Sequence, residues 1–232
     1  MRFSLLSIFF LLFILCAFSD VSASDSNIND LKVAAEQGDA NAQHKLGYLF
    51  EKGWGVERDL SEARKWYEMS AKQGHADAQV DLGILYFFGK GVPQDYEKAL
   101  MLYNLAGKQG HANAQSFLGN AYLNGEGVER DYNQALKWLS LASEKGEKRA
   151  QYNLGVMYAF GQGVQKNYKE AIKLWQMSAN QGNADAQYNL GIAYRDGKGV
   201  SKNVEESMKW FDLSAKQKNA DLAAKQKYYE AQ

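Results

Sequence analysis

One phrase returns at a fixed interval along this chain, and that interval constrains the fold more than any other feature. Leu-Gly pairs fall at Leu46-Gly47, Leu82-Gly83, Leu118-Gly119, Leu154-Gly155 and Leu190-Gly191, each 36 residues after the last with no insertion between them. A fixed period of this size marks a tandem array, in which each unit buries its apolar face against its neighbours. Five full copies follow, at 40–75, 76–111, 112–147, 148–183 and 184–219. For 232 residues, one array is more natural than two globular domains.

Each copy reads as two helices. In the first, Ala42, Leu46, Leu49 and Phe50 recur at helical spacing, and the Phe50 position is Tyr in the other copies (Tyr86, Tyr122, Tyr158, Tyr194). A mid-helix glycine costs about 1 kcal/mol relative to Ala, so five in register predict close approach to a partner helix. A Gly-x-Gly-Val turn follows, as at Gly53 to Val56, with glycines suited to a left-handed helix end. The second helix opens on Asp59, Asp95, Asp131, Asn167 or Asn203, all good N-caps. Glu62, Gln134, Glu170 and Glu206 three residues on predict capping boxes, which Lys98 breaks in copy two. The Ala63 position stays small (Ala99, Ala135, Ala171, Ser207), predicting small-against-small packing on the first-helix glycine. Gly74, Gly110, Gly146 and Gly182 end the second helix, so that all glycines but Gly107 sit at four repeat positions.

The ends depart from the period. Arg2, an apolar run from Phe3 to Phe18, and Val21-Ser22-Ala23 predict a secretory signal peptide, 1–23, cleaved before Ser24. The alternative is an uncleaved anchor, since about 16 apolar residues approach the short limit for spanning. Cleavage removes Cys16, the only cysteine, and leaves no disulfide, no thiolate metal site and no membrane span. Residues 24–39 read as a leader and a capping half-repeat, and 220–232 as a separate C-terminal capping helix with Gln226 and Lys227 at the Leu-Gly position. Lys+Arg and Asp+Glu both number 27, which gives no basic footprint for nucleic acid or anionic lipid.

The pattern A-Q-x-x-L-G-x-x-Y-x-x-G-x-G-V-x-x-D-x-x-x-A resembles the Sel-one-like repeat family, a relative of the tetratricopeptide repeat. Copies four and five carry it most fully, as AQYNLGVMYAFGQGV and AQYNLGIAYRDGKGV. The resemblance implies an all-α fold, a right-handed α/α superhelical solenoid whose concave face binds other proteins. It also implies that bacterial members are often exported, and that a cysteine-rich subset with a disulfide in each repeat binds penicillin. This chain lacks those cysteines.

The chain carries few residues in catalytic patterns. The chain has no threonine, hence no Lys-Thr-Gly motif, and no Ser-x-x-Lys. Gly89-Lys90-Gly91 lacks the rest of a phosphate loop and recurs as the repeat turn. Of His44, His75 and His111, the last two occupy one position in successive copies, about 10 Å apart by helix packing, too far to share one metal without carboxylate help. No cofactor or metal is therefore expected.

Candidate binding residues come from variation between copies. Trp54 stands in a turn where the other copies have Lys90, Glu126, Gln162 and Lys198. By analogy with tetratricopeptide repeats, the groove would present Ile84, Phe87, Phe88, Tyr152, Phe160 and Tyr188, with Arg195 at the rim. The expectation is an exported bacterial scaffold, periplasmic or secreted and monomeric, that binds a protein or peptide in its concave groove without catalysis. The alternative is a cell-envelope enzyme or ligand-binder acting on β-lactams or peptidoglycan.

Overall fold

The computed structural model describes residues 27–230, and among them all regular structure is helical. Helix α1 spans 27–36. Ten more follow: α2 (Ala40–Lys52), α3 (Leu60–Lys72), α4 (Ala76–Phe88), α5 (Tyr96–Lys108), α6 (Ala112–Asn124), α7 (Tyr132–Glu144), α8 (Lys148–Phe160), α9 (Tyr168–Asn180), α10 (Ala184–Asp196) and α11 (Val204–Glu230). The expected signal peptide and residues 24–26 of the leader lie outside the described residues, as do the side chains of Gln226 and Lys227. The chain divides into two compact units, one ending at Leu105 and one beginning at Ala106.

In the first unit, Ala35, Ala42 and Leu46 form a small core between α1 and α2, with Phe50 and Trp66 against it. A larger one joins Ala63, Tyr67 and Ala71 of α3 to Ala78, Leu82 and Leu85 of α4 and to Leu102. The second unit repeats the scheme, with Leu139 and Leu154 in one cluster and Trp175 and Leu190 in the next. Trp175 is buried, whereas Trp66, Trp138 and Trp210 are half-buried.

A buried glutamine stitches each first helix to the end of the second helix before it. Side-chain Nε2 of Gln43, Gln79, Gln115, Gln151 and Gln187 donates to the carbonyls of Ala35, Ala71, Gly107, Ser143 and Ala179. Those carbonyls lie in the last turns of their helices, where four acceptors lack intrahelical partners. The Ala-Gln dipeptide of the repeat is therefore a joint between consecutive helix pairs.

Three expectations need correction. The N-caps form as predicted: Asp59 Oδ1, for example, accepts from Ser61 and Glu62 N–H. The reciprocal half of a capping box does not, because the cap's own N–H is already taken. Asp59, Asp95, Asp131, Asn167 and Asn203 donate instead to the carbonyls of Phe50, Tyr86, Tyr122, Tyr158 and Tyr194, across the turn. Glu62, Glu170 and Glu206 pair with Lys65, Lys173 and Lys209.

Second, the mid-helix glycine does not face a small residue alone. A Cβ at Gly47, Gly83, Gly119, Gly155 or Gly191 would fall 2.5–2.7 Å from Tyr67, Tyr103, Leu139, Trp175 or Phe211 respectively. Each glycine is a notch for the bulky residue four places beyond the small one, and the small position lets the helices come close enough to seat it.

Third, the C-terminal cap is not a separate helix. Gly38, Gly74, Gly110, Gly146 and Gly182 all have positive φ, where L side chains are strained, and each ends a helix. Lys218 holds that place in the last copy, so α11 runs on for 27 residues to Glu230. Residues 220–224 are exposed along it.

Candidate partner-binding surface

Trp54 follows Gly53, the left-handed residue (φ 71°) that ends α2, and its N–H donates to the Leu49 carbonyl at 3.2 Å. Its ring meets Tyr48 edge-on, centroids 5.5 Å apart, and the Lys52 ammonium lies 5.2 Å from the Tyr48 centroid. This aromatic-cationic contact fixes the rings without hiding them, for Trp54 stays 57% exposed. The two rings join Ile28 and Leu31 of α1 and Leu49 of α2 to line a cleft of about 750 Å³, with His44 and Lys45 also in its wall. Such a volume suits a small ligand or a peptide anchor, typically about 300–1,000 Å³. The cleft owes a third of its lining residues, Asn27, Ile28 and Leu31, to α1, which the sequence marks only as a cap. Its signal is Gly55, whose missing Cβ leaves room for Ile28.

At the end of α4, Phe87 and Phe88 separate in role. Phe87 is half-buried, with ring centroids 5.0 Å from Tyr96 and 6.3 Å from Tyr103. Phe88 touches Phe87 at 5.1 Å but is 54% exposed, with the Lys90 ammonium 5.5 Å from its ring. Ile84, one turn earlier, is half-buried.

In the second unit, Tyr152 packs against the cluster containing Ala186 and Leu190, and its carbonyl accepts from Trp175 Nε1 at 3.2 Å. Burial, then the nearby Asp185 charge, pushes its phenol up from the ordinary range. Tyr188, its counterpart in α10, is 48% exposed; its ring lies 5.3 Å from Phe211, with the Lys218 ammonium 5.6 Å from its centroid. Phe160 ends α8 and is 67% exposed. Arg195 is exposed and donates through Nε to Asp196 at 2.8 Å, while Lys198 approaches the other Asp196 oxygen at 3.0 Å. These two cations hold the Asp196 carboxyl down at about 2.

Helix pairs with recurring buried joints, carrying aromatic residues that differ from copy to copy, define an α-helical tandem-repeat scaffold. The Sel1 repeat profile matches residues 40–75, 76–111, 112–147, 148–183 and 184–219, and the chain belongs to the Sel1 repeat family. Proteins of this family are typically scaffolds for protein–protein interaction. The chain is 35% identical to a Sel1 repeat protein of Oxalobacter formigenes, with a TM-score of 0.74 over 78% of this chain and 72% of that one. It is 38% identical to c5321, a protective antigen of uropathogenic Escherichia coli with an SLR fold, at a TM-score of 0.77 over 82% of this chain but 40% of that one. It is also 54% identical over 37 residues to a chitin synthase regulator of Malassezia restricta, a match spanning 16% of this chain and 3% of the relative's length. Among the described residues, no helix is long and apolar enough to cross a membrane.

Proposed function

We propose that this chain is an exported bacterial scaffold that binds a protein or peptide through its first helices and the turns after them, without catalysis. One observation carries the binding reading. The last first-helix position is polar in three copies, Lys52, Asn124 and Asp196, and Phe in the other two. Both phenylalanines, Phe88 and Phe160, are more than half exposed. Copies that fold with Lys, Asn or Asp there show that folding does not demand Phe, and exposed large apolar groups favour recognition. Trp54 repeats the argument against Lys90, Glu126, Gln162 and Lys198. Export rests on the sequence pattern of residues 1–23.

The test is affinity capture from the native envelope fraction with the wild-type chain and with Phe88→Ala, Phe160→Ala and Trp54→Ala. A partner retained by the wild type and lost by at least one variant of unchanged stability supports the reading. Equal retention by all three variants, or reproducible turnover of labelled penicillin or cell-wall fragments by the pure protein, overturns it.

A further inference from the structure

His44 and His75 are 31 residues apart along the chain (75 − 44), and their rings stack, centroids 4.8 Å apart and planes 29° apart. His44 lies on α2, and His75 caps α4. One ligand atom from each of His44, His75 and Asp77 lies within 4.8 Å of the other two. We propose that His44, His75 and Asp77 bind a divalent cation of the zinc class across the joint between the first two repeats.

The donor set fits. Two imidazoles and a carboxylate suit zinc and its neighbours, whereas magnesium and calcium take oxygen ligands. Tetrahedral zinc, with bonds of about 2.0–2.1 Å, wants donor atoms about 3.3 Å apart. Closing the set therefore takes side-chain rotation, which the exposed Asp77, at the second residue of α4, has room to make. His44 Nε2 lies 2.8 Å from Asp81 Oδ2. This carboxylate–imidazole pair fixes the tautomer and the ring orientation, as around metal-bound histidines generally.

His75 has the harder task. Its Nδ1 accepts the Ala78 N–H at 3.2 Å, capping α4, and its Nε2 lies 3.0 Å from Asn41 Oδ1. Coordination displaces one of these and gives up the cap. Burial, and then His44, lower its pKa, which favours the neutral ring that a metal ligand needs. The helix N-terminus disfavours a cation, but Asp39, Asp77 and Asp81 all act on this ring and offset it.

Capping alone does not require histidine here. Asp39, Glu147 and Asn183 cap the corresponding first helices of copies one, four and five. His44 has Val80, Ser116, Tyr152 and Tyr188 as counterparts. The one histidine in that series falls beside a capping histidine.

The experiment uses the full chain, stripped with chelator, titrated with zinc by calorimetry and with cobalt by visible absorption. His75→Asn keeps a cap, as Asn183 does for α10, and His111→Asn is the control at the same position of copy three. Expected are saturable zinc binding and cobalt ligand-field bands in the wild type and in His111→Asn. His75→Asn and His44→Gln should weaken zinc binding by about tenfold or more. Unaltered affinity in both variants overturns the proposal, as does a wild type that takes up no zinc at millimolar concentration, or an equal loss in His111→Asn.

Discussion

A Cβ placed on Gly155 would fall 2.6 Å from the Trp175 indole, closer than real Cβ contacts come, with the Ala171 carbonyl oxygen at 3.2 Å. Trp175 uses the space so freed to donate from Nε1 to the Tyr152 carbonyl, three residues upstream of the glycine. Notch, ring and hydrogen bond thus fix how α8 and α9 cross.

Gly155→Ala should therefore destabilise the protein, by about 1–3 kcal/mol from overpacking. Propensity alone predicts the opposite sign, since Ala in place of a helical Gly stabilises by about 0.4–1 kcal/mol. Urea denaturation decides between them. A higher midpoint in the variant would show that Trp175 yields and that the glycine is not a packing requirement.

Gln43 joins three helices, donating to the Ala35 carbonyl of α1 at 3.0 Å and accepting from Gln73, which follows α3, at 2.8 Å. Gln43→Leu keeps most of the volume but removes one of the two donors to the Ala35 carbonyl, which keeps the Gly38 N–H at 3.1 Å, so the loss should be that of one hydrogen bond, about 0.5–1.5 kcal/mol. Amide exchange should accelerate in α1, because the joint is its polar tie to the array. Unchanged exchange there would show that the apolar contacts of Ala35 and Leu31 hold α1 by themselves.

The period made the fold legible. The positions of glycine, leucine and capping residue located ten of the helix starts and turns, because each answers a local backbone demand. The rest depends on contacts between helices, within a copy or between copies, that no single helix displays. The capping-box expectation failed because a carbonyl from the other side of the turn claims the Asp59 N–H, and no local pattern displays that acceptor. The repeated glutamine is polar and adds nothing to an apolar face, although it is buried. Of the candidate site, exposure at Trp54, Phe88 and Phe160 was readable from polar residues in sister copies. The stacking of His44 on His75 was not, because it depends on the offset between neighbouring first helices.

Acid should weaken the fold through His75. Its folded pKa is depressed, so the unfolded chain binds the proton more readily, and stability declines as pH falls below about 6.5. The protonated ring can no longer accept the Ala78 N–H and puts a positive charge beside His44 at a helix N-terminus. With chelator present, melting temperature should drop between pH 7 and 5 in the wild type and less in His75→Asn. Carboxylates such as Asp196 titrate lower and do not contribute in that window. Identical profiles for the two proteins would remove His75 as the source.

Phe87 and Phe88 provide the sharpest test of the binding surface, because they are adjacent and differ in burial. The half-buried Phe87 ring touches both Tyr96 and Tyr103, so Phe87→Ala should cost about 1–3 kcal/mol of stability, less than the fully buried case. The Phe88 ring faces solvent over more than half its surface, and Lys90 is its polar companion. Phe88→Ala should change stability by no more than about 0.5 kcal/mol, as surface substitutions usually do. If Phe88 is an anchor for the partner, its loss should cost about 2 kcal/mol of binding, roughly thirtyfold in affinity. Melting temperature and dissociation constant measured on both variants separate the roles. Full binding by Phe88→Ala, or a loss of affinity in strict proportion to lost stability across the pair, would move the binding surface elsewhere, with the Trp54 cleft next in line.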